Sequence, residues 1–149
     1  MNTTRLALAA LAATVVDVIY GLAVYGTAMA GQFAAFPGVF RSAESGPAYL
    51  PVMFCGVLVG MFAATYIYAK GYEGGSGVRE GVRFGLLMAI FNAGYIIGTD
   101  YGVLNIGRHL ALAMALAGLG EWLLVGATIG LIYKSASAAE ARSAKAAKV

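Results

Sequence analysis

The sequence predicts an all-α integral membrane protein, built as one bundle of four transmembrane helices. Of its 149 residues, 60% are hydrophobic and only 11% are charged, and the mean hydropathy is +0.79. Soluble domains carry about a quarter charged residues, and a chain this short cannot bury so much apolar surface in its own interior. The same composition excludes an intrinsically disordered chain, which needs low hydrophobicity and high net charge.

Four apolar stretches reach the length of about 20 residues that an α-helix needs to cross a bilayer. The first contains Asp17 and is too long for the apolar core of a signal peptide, so we expect a retained helix. The second has Pro51 in its first turn, where a missing N–H is tolerated. Because the connections are short, we expect antiparallel packing within one domain, residues 1–134. The predicted spans are residues 6–30, 50–69, 82–99 and 110–133.

The basic residues predict the orientation of the bundle. If the four spans alternate, eight of the ten Lys and Arg residues fall on one side of the membrane, and only Arg41 and Arg108 fall on the other. The positive-inside rule then places both termini and the middle connection in the cytoplasm, with the bundle in the cell inner membrane. Residues 135–149 are expected to form a basic cytoplasmic tail rich in Ala, Ser and Lys.

Small residues recur four positions apart within the predicted helices. This spacing lets helix backbones approach closely in lipid, where no hydrophobic effect drives helices together. The 21 glycines offer more close-packing surface than one four-helix bundle needs, which favours contacts with other membrane subunits or with further copies of the chain. The glycine pairs are Gly56 and Gly60, Gly94 and Gly98, and Gly126 and Gly130.

Three polar side chains lie near the centres of predicted spans: Asp17 in the first, Asn92 in the third and Glu121 in the fourth. At about 1.5 Å per residue, all three lie within roughly 3 Å of one plane. A carboxylate at the bilayer centre costs about 3 kcal/mol on insertion scales, so neither acid is expected to face lipid. The sequence has no Lys or Arg at this depth to neutralise them.

Three roles are open for Asp17 and Glu121. Both can be protonated and hydrogen-bond across helices to Asn92, to Thr14 or to each other. Alternatively, they carry protons or bind a cation along a water-filled path. In the third case they meet a basic or polar group of another subunit. Asp17, Asn92 and Glu121 are therefore candidates for an ion, proton or partner contact.

Most other classes of site have no support in the sequence. One cysteine and one histidine exclude a multi-cysteine metal centre and a bis-histidine haem, and a net charge of +3 predicts no groove for nucleic acid. We therefore expect no catalytic, cofactor-binding or metal-binding residues, no cofactor and no enzymatic activity. The leading hypothesis is a non-catalytic accessory subunit, packed through its glycine-rich faces into a larger membrane assembly. The alternative is a small oligomeric transporter or channel that moves protons or cations past the midplane carboxylates.

Overall fold

The computed structural model describes the backbone of residues 1–146 and the side chains of residues 1–133, and all regular structure within that range is helical. Four helical stretches are long and apolar enough to cross a membrane, which confirms the predicted all-α class and the predicted number of such helices. Residues 147–149 of the predicted basic tail lie outside the described residues, as do the side chains of 134–146. The four stretches are Thr3–Ala28, Gly46–Gly71, Gly77–Val103 and Arg108–Tyr133.

The first two stretches contain both regular and irregular helical turns. Helix α1 (Thr3–Ala23) runs without a break into a π-helical turn at Val24–Ala28, which is followed by the short helix α2 (Ala30–Ala34). A 3₁₀ turn at Gly46–Tyr49 leads directly into α3 (Leu50–Gly71). The second stretch therefore begins before the predicted residue 50, because the 3₁₀ turn lengthens the helix beyond its apolar part.

The third stretch also contains a π-helical turn. It consists of α4 (Gly77–Tyr95), the π turn at Ile96–Asp100 and the short helix α5 (Tyr101–Val103). The fourth stretch belongs to one long helix, α6 (Arg108–Ala146). α4 begins before the predicted residue 82, since hydropathy marks only the apolar part of a helix and polar first turns extend it at the membrane surface.

α6 is the central helix of the bundle. It packs antiparallel to α4 on one side and to α1 on the other, and α3 packs mainly against α1. At the end that holds the N-terminus, small and branched side chains of α1 and α6 interdigitate with side chains of α3. These residues are Ala9, Ala13, Met61, Tyr68, Val125, Ile129 and Tyr133. At the opposite end, called the distal end below, a second cluster joins Met29 to Ile106, Leu110 and Ala111.

α4 and α6 touch through their backbones. A Cβ atom at Gly126 would lie 2.8 Å from the Cα of Gly85, and a Cβ atom at Gly130 would lie 2.9 Å from the Cα of Gly81. Because backbone atoms cannot move aside as a flexible side chain can, only glycine permits this approach. We call this contact the glycine seam; it consists of Gly77, Gly81 and Gly85 on α4 and Gly126 and Gly130 on α6.

The other two predicted glycine pairs lie in open space. A Cβ atom at Gly56, Gly60, Gly94 or Gly98 would have nothing within 4 Å. The buried residues of α3 all lie in its second half, from Met61 onward, while its first half is almost entirely exposed. α3 is therefore anchored to α1 near the N-terminal end of the bundle and has few protein neighbours near the distal end.

Candidate functional site

Asp17 and Glu121 meet between α1 and α6. Their carboxyl side chains lie close enough to interact, and both residues are half-buried. Two negative charges held close together in a low-dielectric environment repel, which favours a state in which at least one of the two groups keeps a proton. The two acids therefore form a carboxyl pair between the first and the last long apolar helix.

Tyr25 is hydrogen-bonded to this pair. Its hydroxyl donates to Oε2 of Glu121 over 3.0 Å. Tyr25 lies in the π-helical turn, where the N–H of Met29 bonds to the carbonyl of Val24 over 2.8 Å. With α-helical periodicity, Tyr25 would lie about 80° around the helix axis from Asp17. The length of the Tyr25 side chain lets its hydroxyl reach Glu121 across this angle. π turns such as the one at Tyr25 are frequent at functional sites.

Tyr20 and Asn92 lie beside the same stretch of α6. The Tyr20 hydroxyl donates to the carbonyl oxygen of Ala117 over 2.8 Å. The side-chain amide of Asn92 lies directly against Gly118, where a Cβ atom would collide with it. Together these groups form a polar cluster contributed by α1, its π turn, α4 and α6. The cluster, called the midplane cluster below, consists of Asp17, Tyr20, Tyr25, Asn92 and Glu121.

The structure thus brings together the three side chains that were predicted to lie at one depth. Asp17 and Glu121 are in direct contact, and Asn92 reaches the same part of α6 from the side of α4. Tyr20 was detectable in principle, since it follows Asp17 by three residues and shares its helical face. Tyr25 was not detectable by helical periodicity, because regular α-helical spacing places it about 80° around the helix axis from Asp17.

A cavity of about 660 Å³ opens at the distal end, between the end of the first helical stretch and the start of α3. Tyr25 forms part of its wall and therefore touches both this cavity and the midplane cluster. Most of the lining is apolar and includes the rings of Phe33 and Phe40. Arg41 is the one charged residue among the described residues that line it. An adjoining compartment of about 450 Å³ shares these residues and is bounded by Met114 of α6; the two together are called the distal cavity.

The midplane cluster offers two carboxyl groups, two phenol hydroxyls and one amide. In the described part of the chain, no group of three or more His, Cys, Asp and Glu side chains is arranged to hold a metal ion. No family model, curated protein or solved structure matches the chain. The class of protein is therefore defined by the fold and the cluster alone. It is an all-helical protein with four helices long and apolar enough to span a membrane, and a carboxyl pair joins the first of them to the last.

Proposed function

We propose that the chain is a small multi-pass protein of the cell inner membrane that takes up and releases protons at Asp17 and Glu121, and that it works as a proton-coupled transporter. One observation carries this proposal. Glu121 of the carboxyl pair accepts a hydrogen bond from Tyr25, and Tyr25 also forms part of the wall of a cavity that opens at the distal end. The pair therefore lies one side chain away from an opening at one face of the bundle, which a purely structural contact does not need.

The physical argument concerns the state in which one carboxyl group is ionised and the other keeps its proton. Ionisable residues inside a membrane bundle pair with one another and are typical of proton relays. Once one carboxyl group of the pair ionises, the remaining proton and the Tyr25 hydroxyl can both donate to it, and hydrogen bonds to a charged acceptor are the strong ones. Both protonation states of Glu121 consequently have hydrogen-bond partners without any cation nearby. This supports a pair that releases and takes up a proton, rather than a pair that always stays neutral.

We expect Tyr25→Phe to slow proton flux about tenfold. The substitution removes the hydroxyl that links Glu121 to the distal cavity, and one hydrogen bond to a charged group, worth about 1.5 kcal/mol, corresponds to about tenfold in rate. The measurement is the initial rate of internal pH change, followed with a trapped dye, in proteoliposomes under an imposed potential. Tyr95→Phe is the matched control, because Tyr95 is exposed on α4 and lies outside the midplane cluster. Equal rates for Tyr25→Phe and wild type would exclude a route through Tyr25.

The proposal includes the orientation, with both termini in the cytoplasm. It is supported by the basic residues, of which only Arg41 and Arg108 lie at the distal end. Ser45 and Gly75 are exposed in connections at opposite ends of the bundle. In a Cys55→Ala background, we expect Ser45→Cys to react with a membrane-impermeant maleimide in intact cells. Gly75→Cys should react only after permeabilisation, and its labelling from outside would reverse the orientation.

A second candidate function is that of an accessory subunit in a larger membrane assembly. The glycine faces of α3 and α4 favour it, since Gly56, Gly60, Gly94 and Gly98 have open space where a neighbouring helix could pack closely. The mass of the intact complex after extraction in a mild detergent separates the two candidates. Stoichiometric co-purification of other membrane proteins favours the accessory subunit, and a pure homo-oligomer favours the transporter.

A further inference from the structure

The distal cavity combines an apolar body with a single positive charge at its rim. Phe33, Phe40 and Leu50 supply apolar wall, and Arg41 supplies the charge. The larger of its two compartments has a volume of about 660 Å³, which lies within the range of about 300–1,000 Å³ that is usual for small-molecule sites. Such sites are mostly apolar and fix the orientation of the ligand with a few polar groups, so the lining favours one amphipathic molecule.

Arg41 is held in place by stacking rather than by an ion pair. Its guanidinium lies 3.3 Å from the centroid of the Tyr49 ring, which belongs to the 3₁₀ turn before α3. Within the described side chains, no carboxylate lies at salt-bridge distance from Arg41. Stacking uses the face of the guanidinium, while its N–H groups point outward in the plane and match a carboxylate in two-point geometry. The charge at the rim is therefore suited to an anion.

We propose that the distal cavity binds a single-chain amphipathic anion, namely a long-chain carboxylate. The carboxylate lies on the Arg41 guanidinium, and the hydrocarbon chain extends along the packed rings of Phe33 and Phe40 toward Tyr25. One cation and one continuous apolar space match one acid group and one chain. Binding here does not require proton movement past the midplane cluster, so binding and proton flux can be lost separately.

The test uses the full-length protein in phosphatidylcholine nanodiscs and hexadecanoic acid with a photoactivatable diazirine in its chain. Adducts on the peptide that contains Phe33, Phe40 and Arg41 are quantified by mass spectrometry against probe concentration. We expect saturable labelling that hexadecanoic acid suppresses and hexadecanol does not. Arg41→Gln should raise the half-saturating concentration about 10- to 100-fold, the loss expected for a hydrogen bond to a charged group. Arg41→Lys should keep most of the binding.

Two control variants distinguish binding at the proposed site from effects of overall charge and of proton flux. Arg108→Gln removes the same charge at the same end of the bundle without altering the cavity lining, and it should bind the probe like wild type. Glu121→Gln should also keep saturable labelling, even where proton flux is lost. Labelling that never saturates, or that is equal in wild type and Arg41→Gln, would overturn the proposed site. Suppression by phosphatidylglycerol as effective as that by hexadecanoic acid would also overturn it, because the occupant would then be a bilayer phospholipid.

Discussion

Asp17→Asn and Glu121→Gln are each expected to reduce proton flux to the rate of protein-free liposomes while leaving the fold intact. Each substitution replaces a carboxyl group by an amide of nearly the same size, which still hydrogen-bonds across the α1–α6 contact but cannot release a proton. Because interhelical hydrogen bonds in membranes average about 0.6 kcal/mol, the free energy of unfolding should change by less than about 1 kcal/mol. The measurements are dye-reported proton flux and thermal unfolding of the same preparations.

Thr128→Val is the matched control for these two variants. The Thr128 hydroxyl bonds only within its own helix, to the carbonyl of Leu124 over 2.8 Å, so its removal should leave flux unchanged. Normal flux in Asp17→Asn and Glu121→Gln would remove the transporter proposal. If flux is normal and a co-purifying protein is lost, the acids meet a partner, whose basic group would otherwise be left buried and unpaired. Normal flux with unchanged composition would leave a structural hydrogen bond.

Gly126→Ala is expected to destabilise the protein by roughly 1–3 kcal/mol. The added methyl group would lie 2.8 Å from backbone atoms of Gly85, and overpacking of this size usually costs that much. The backbones of α4 and α6 would have to separate along the glycine seam, which also weakens their contacts at Gly81 and Gly130. Reversible unfolding in detergent micelles measures the loss.

Gly94→Ala provides the control with the opposite sign. Gly94 has the same spacing to a second glycine, but a Cβ atom there meets nothing within 4 Å. Alanine is more favourable than glycine in a helix by up to about 1 kcal/mol, so this variant should be as stable as wild type or slightly more stable. Equal unfolding free energies for Gly94→Ala and Gly126→Ala would contradict backbone contact between α4 and α6.

The number and the approximate positions of the helices were predictable from the sequence. A membrane span must satisfy its own backbone hydrogen bonds, so an apolar stretch of sufficient length has few alternatives to a helix. The neighbours of each helix were not predictable. Gly94 and Gly98 have the same spacing as Gly126 and Gly130, but only the second pair faces glycines on another helix. The spacing of glycines permits another helix to approach closely. Which helix does so depends on the residues of the opposing helix surface.

The candidate site was predictable in depth but not in its contacts. A constant rise per residue is enough to place Asp17, Asn92 and Glu121 at one level. Their contact depends on α1 lying next to α6, which follows from packing near Ala13 and Val125 rather than from polarity. The part played by Tyr25 depends on the reach of its side chain, and the distal cavity depends on the connection before α3; helical periodicity predicts neither.

The glycine seam also bears on which parts of the bundle can move relative to one another. Helices in backbone contact resist sliding and tilting, so we expect α4 and α6 to move together and displacement to occur at the boundary between α6 and α1. Asp17 and Glu121 lie on opposite sides of that boundary. Without a proton on either group, two negative charges would face each other at low dielectric constant and repel, so we expect protonation of the carboxyl pair to hold α1 and α6 together and loss of its protons to loosen their contact.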